Sequence, residues 1–185
     1  MINRDLMVRA LQKAPDPTSV IRFVDNFYRA PVEGDFPVEQ TTLPEKTHAS
    51  VIIPALTLRR NSWLRWVFVG TVDYGGGAPD NFRVRFRWGE GGPVMLTTTA
   101  TVTGAGSNLP WHSVAEFQCS GPPGPATQIR VWLSFTGQPG PTVGLVEASG
   151  TFDTSKKTKL LFTMELASSS GTPVFRTLGS YMETF

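Results

Sequence analysis

Cysteine occurs once in these 185 residues and histidine twice. A single thiol excludes an intrachain disulfide framework and any zinc site built from several thiolates. Charge is also scarce: seventeen basic and fifteen acidic residues make up 17% of the chain, and they are spread along it rather than gathered in blocks. A net charge of +2 distributed in this way does not point to nucleic acid, and none is expected as a partner. Long apolar runs are missing too. Met1-Ile-Asn-Arg-Asp opens with charge of both signs and no apolar run follows, so neither a secretory signal nor a membrane span is expected, and the chain reads as made soluble in a cytoplasm. Glycine (18) and proline (15) are plentiful instead. That composition suggests many short strands and turns with much surface hidden, subunit contact being one way to hide it.

The sequence is equally short of catalytic pattern. In LPWHSVAEFQC, Leu109 to Cys119, a histidine, a glutamate and the lone cysteine fall close together. At roughly 3.3 Å per residue an extended chain separates His112 from Cys119 by roughly 23 Å, so they cannot act as a pair. Alternation instead puts Trp111, Ser113, Ala115, Phe117 and Cys119 on one face and His112, Val114, Glu116 and Gln118 on the other. Cys119 is expected buried beside Phe117, as a small hydrophobe. Gly75-Gly76-Gly77 and Gly89-Glu90-Gly91-Gly92 lack a following helix and the Gly-Lys-Ser/Thr of a phosphate loop, and read as hairpin loops. GPPGPA at 121–126 and GQPGPT at 137–142 are too short for a triple helix and bracket a strand. Asp73 and Asp80 flank a loop that could hold calcium, but no ligand repeat supports it. Ser62, Ser113, Ser120 and Ser168 to Ser170 show no nucleophile elbow. No cofactor, no metal and no enzymatic activity are expected.

Two short helical segments come first. The second has Asp16 as N-cap, Pro17 at the first helical position and an apolar stripe of Val20, Phe23, Val24 and Phe27. Residues 30–46 carry three prolines and scattered acids, and read as an extended arm crossing a surface. Thereafter β-patterned runs alternate with Gly/Pro clusters, the signature of a sandwich or barrel with eight or nine strands. Phe82, Val84, Phe86 and Trp88, then Ile129, Val131, Leu133 and Phe135, then Leu160, Phe162, Met164 and Leu166 are assigned to its interior. The division is an arm, 1–46, and a β domain, 47–185.

Opposite the first of those interior rows stand Arg83, Arg85 and Arg87, roughly 7 Å apart by the strand period. They read first as a solvated outer face, and second as a docking stripe for carboxylates of a neighbouring subunit or for a polyanion. Of five tryptophans, Trp66, Trp88 and Trp111 fit inward positions. Trp63 and Trp132 alternate outward, where large apolar surface marks an interface or a sugar-stacking site.

Ile53-Pro54-Ala55 leading to a strand, Pro110-Trp111 opening a strand that carries Glu116, Phe117 and Cys119, and the turn Thr151-x-Asp153-Thr154 before the penultimate strand occur here in one order. Over residues 47–185 this series resembles a jelly-roll domain of structural proteins of tailed bacteriophages. The resemblance implies an all-β jelly-roll sandwich of about eight strands with a short N-terminal helical and extended arm. It also implies a virion component, synthesised in the host cytoplasm, that is non-enzymatic and homo-oligomeric, with three copies the expected number. About 46 residues before the domain are too few for an elongated fibre shaft. A capsid decoration or cement protein that binds the major capsid shell is therefore the leading expectation, anchored through Val20, Phe23, Val24 and Phe27. The alternative is a tail- or head-fibre receptor-binding module, with Trp63 or Trp132 stacking on host surface glycans.

Overall fold

Alternation along the chain becomes, in the computed structural model, eleven strands among the described residues, 32–33, 38–41, 44–75, 80–102, 105–137, 143–166 and 173–184. They are β1 (Val32–Glu33), β2 (Val38–Gln40), β3 (Lys46–Ile53), β4 (Trp63–Tyr74), β5 (Asp80–Trp88) and β6 (Val94–Val102). β7 (Gly106–Cys119), β8 (Thr127–Gly137), β9 (Val143–Phe152), β10 (Thr158–Leu166) and β11 (Val174–Thr184) follow. Two antiparallel sheets face each other, one in the order β1-β3-β10-β5-β6 and one in the order β2-β11-β4-β7-β8-β9. The chain changes sheet at every step except β5 to β6, β7 to β8 and β8 to β9, so both sheets wrap one core in the jelly-roll manner. The expected all-β sandwich is thus the observed class. The number of strands is higher than the eight or nine expected, because β1 and β2 add short edge strands from within residues 30–46. The helical segments and Val20, Phe23, Val24 and Phe27 lie outside the described residues.

The three rows assigned to the interior are there. Phe82, Val84, Phe86, Ile129, Val131, Leu133, Phe135, Leu160, Phe162, Met164 and Leu166 are buried, and Trp88 nearly so. Aromatic rings form the middle: Phe68 stacks on Phe162 at 4.0 Å, Phe86 leans on both, and Phe117 meets Phe86 edge-on at 5.3 Å. Burying each such ring is worth about 1.5–3 kcal/mol, so this layer dominates cohesion. Gly70 is required by Trp111, its partner in the β4–β7 register. A Cβ there would stand 2.1 Å from the Arg176 carbonyl oxygen and 2.3 Å from the indole. β7 begins earlier than expected, passing through Pro110. Pairing to β8 starts only at Trp111, so the missing N–H of Pro110 costs no ladder bond on that side.

One long side is closed where β6 lies against β9. At the other, β1 pairs with β3 and β2 with β11, so part of the proposed arm is bound to the sandwich edges. Between them, His48 is buried against the edge of the Phe162 ring. The Gln40 amide nitrogen donates to the Pro44 carbonyl at 2.9 Å, which turns its oxygen toward His48 Nε2 at 3.4 Å. Nε2 therefore carries the proton, and Nδ1 accepts from the Thr177 hydroxyl at 2.8 Å.

Candidate functional site

The two outer faces of the sandwich differ, and the difference locates the candidate site. On the five-stranded sheet, Arg83, Arg85 and Arg87 do point outward, but each is bound to a carboxylate of the same chain. Arg87 makes a bidentate pair with Glu45, Nε to Oε1 and Nη2 to Oε2, both at 2.7 Å. Arg85 donates to Glu45 at 2.8 Å and lies 2.5 Å from Glu165, and Arg83 donates to Glu165 at 3.1 Å. The Thr163 hydroxyl adds a 2.5 Å bond to Glu45. The Arg87 hydrogen bond, helped by Thr163 and by the charges of Arg87 and Arg85, overcomes partial burial and lowers the Glu45 pKa from 4.5 to about 2. Expected as a solvated row or a docking stripe, the three arginines form a ladder with Glu45 and Glu165, and through Glu45 it fastens the segment before β3 to the sheet. Leu161, on the same face, is buried.

The six-stranded sheet presents another surface. Cross-strand register sets Glu183, Arg65, Glu116, Trp132 and Glu147 in one row, and Tyr181, Val67, Val114 and Ser134 in the next. Val69, Leu178 and Tyr181 are 47%, 49% and 38% exposed, and together with Val67 they make an apolar patch over β4 and β11. Over β7, β8 and β9 the face turns mixed. Arg65, Val114, Glu116, Trp132, Ser134 and Leu145 line an open groove of about 210 Å³. Trp63 and Trp132 both face outward as expected, and their rings stack at 5.3 Å. Arg65 is exposed and Glu116 half-buried, and they form a loose ion pair at 3.7 Å, too long for a direct hydrogen bond. Sequence reasoning singled out the tryptophans but missed Arg65 and Glu116. Both sit at outward positions of strands that prove adjacent, which is the signal for a cross-strand pair.

The remaining candidates are placed apart. Cys119 is buried and faces the core with Phe117, and burial pushes its thiol up to about 11. His112 lies on the opposite, exposed face of β7, across from Val69. Asp73 spends one oxygen on the Asn108 N–H at 2.6 Å and the other on Arg176. Those bonds, Arg176 foremost, hold its carboxyl below the usual range and leave it committed within the chain. No cluster of three or more His, Cys, Asp or Glu able to hold a metal occurs among the described residues. The Thr151-x-Asp153-Thr154 turn has structural work. Asp153 accepts from the Ser155 N–H at 2.9 Å and its carbonyl from the Trp88 indole at 2.9 Å, while Thr154 bonds Thr127 at 2.6 Å. Gly89 and Gly91, both at positive φ, form the expected β5–β6 hairpin turn.

No protein-family model and no curated protein sequence matches this chain. Among solved structures it is similar to lectin II from Ulex europaeus, at 8% identity over 86% of this chain and 96% of that one, with a TM-score of 0.37. Peanut lectin gives 12% identity over 84% and 89%, with a TM-score of 0.36. The CBM2 module of the evolved Dit of Lactobacillus casei BL23 phage J-1 gives 13% over 83% and 78%, with a TM-score of 0.32. Scores of this size carry no function from those proteins to this one.

Proposed function

We propose that this chain is a non-enzymatic structural protein of a bacteriophage virion, a homo-oligomer that decorates and stabilises the capsid shell. One observation carries the reading: the outer face of the five-stranded sheet is tied off by the chain's own Glu45 and Glu165, whereas that of the six-stranded sheet leaves Val69, Leu178 and Tyr181 exposed side by side. Such an apolar patch on a stiff sheet is suited to contact between subunits. The virion setting and the number of three copies come from the motif series in residues 47–185. Attachment to the shell is assigned to Val20, Phe23, Val24 and Phe27.

A second reading, recognition of glycans on a host surface, is favoured by the groove in which an indole, a carboxylate, a guanidinium and a hydroxyl converge. The two are compatible, because Val69, Leu178 and Tyr181 are not among the residues that line the groove. Co-sedimentation of the full chain with particles lacking it tests the first reading. Wild type should pellet with the shell, and Leu178→Asp plus Tyr181→Asp should lose self-association at an unchanged melting temperature. A monomeric wild type that ignores the particles would refute it.

A further inference from the structure

We propose that the groove over β4, β7, β8 and β9 is a saccharide subsite that takes one neutral pyranose ring of a glycan chain, stacked on Trp132 and hydrogen-bonded by Glu116, Arg65 and Ser134. The proposal rests on the glycan reading and adds the residues and the class of sugar.

Three observations converge on it. The first concerns rigidity. Trp63 covers one side of Trp132 in a nearly parallel stack, planes 15° apart, yet Trp63 is not part of the groove wall. Trp132 is thereby held in place before any ligand arrives, which lowers the ordering cost of binding. An indole offers a flat apolar surface, suited to the C–H face of a sugar ring.

The second concerns unused hydrogen-bonding capacity. Elsewhere on the sandwich, Arg83, Arg85 and Arg87 reach carboxylates within 2.5–3.1 Å. Arg65 and Glu116 make only a loose ion pair at 3.7 Å, with no direct hydrogen bond between them, and solvent reaches both. A sugar hydroxyl donates and accepts at once, so it can give its proton to Glu116 and receive one from Arg65, bridging a pair that does not close on itself. At about 210 Å³ the open groove is smaller than the roughly 300–1,000 Å³ of drug-sized sites, matching a single ring with the rest of the chain lying along the sheet.

The third concerns charge. The row through the groove reads Glu183, Arg65, Glu116, Trp132, Glu147, three carboxylates to one guanidinium, with Arg130 the nearest further cation by register. Phosphorylated, sulfated or sialylated glycans are repelled by that balance, and neutral ones are not.

The test is a glycan array carrying neutral and anionic glycans, probed with the full chain and with Trp132→Ala and Glu116→Gln, followed by titration of the best hit. Neutral glycans should bind, and each variant should weaken binding by at least about tenfold while Leu178→Asp has no effect. Thermal melts establish that the variants fold, and Glu116→Gln keeps the test open if Trp132→Ala does not. A preference for anionic glycans, or binding indifferent to both variants, would overturn the subsite while leaving glycan recognition standing. Absence of binding to any glycan would remove both.

Discussion

The indoles of Trp63 and Trp132 stack at 5.3 Å although they stand on strands that are not neighbours, with β7 running between β4 and β8. Their contact roofs the middle strand and couples the two halves of the outer face. A double-mutant cycle of Trp63→Ala and Trp132→Ala should yield a coupling of about 0.5–1.5 kcal/mol in denaturant unfolding. Strictly additive losses would mean that the stack contributes nothing.

Glu45 binds Arg85, Arg87 and Thr163, so Glu45→Gln should lower stability at neutral pH by about 1–3 kcal/mol. Its pKa is depressed from 4.5 to about 2 in the folded chain, so the unfolded state takes up the proton first. The stabilisation is full above pH 4.5 and is lost as the pH falls toward 2. Melts from pH 6 to pH 2 should show that loss in wild type and a flatter profile in the variant. Identical profiles would remove Glu45 as the fastening residue.

His48 acts in a higher window. Burial, with a smaller contribution from Lys46, depresses its pKa from 6.5 to about 3, so it stays neutral in the fold. Because the unfolded chain binds the proton already near pH 6.5, stability is complete above that pH and declines as pH falls toward 3, by at most about 1.4 kcal/mol per unit. His48→Gln should abolish the decline between pH 6.5 and 4.5, where Glu45 does not yet titrate. A wild-type profile flat over that interval would show that His48 is not held neutral.

Phe23→Asp plus Phe27→Asp tests the anchor. Capsid co-sedimentation should be abolished while the melt of the β domain stays almost unchanged, since the two facing sheets bury their apolar rows against each other. A large drop in melting temperature with docking retained would refute the assignment.

The interior was legible because burial on one side leaves a period of two. Trp111, Ser113, Ala115, Phe117 and Cys119 fall inward as the alternation in LPWHSVAEFQC requires. Partnership across the chain was not legible. Nothing local links Glu45 to Arg87, 42 residues on, until β5 and the segment before β3 are brought to the same sheet. Trp63 and Trp132 could be assigned outward from their neighbours alone, but stacking depends on the order β4-β7-β8, which no periodicity encodes. β1 and β2 leave no such signal, because runs of two and three residues are too short to show alternation.

Hydroxyl-radical footprinting of the full chain, free and assembled on particles, tests the central claim most directly, because it reads side-chain exposure on both faces in one experiment. The account predicts protection of Val69, Leu178 and Tyr181 on assembly, with Arg83, Arg85 and Thr163 unchanged because the chain's own carboxylates already bind them. Protection confined to the Arg83 to Arg87 face, with Leu178 and Tyr181 as reactive as in the free protein, would contradict it.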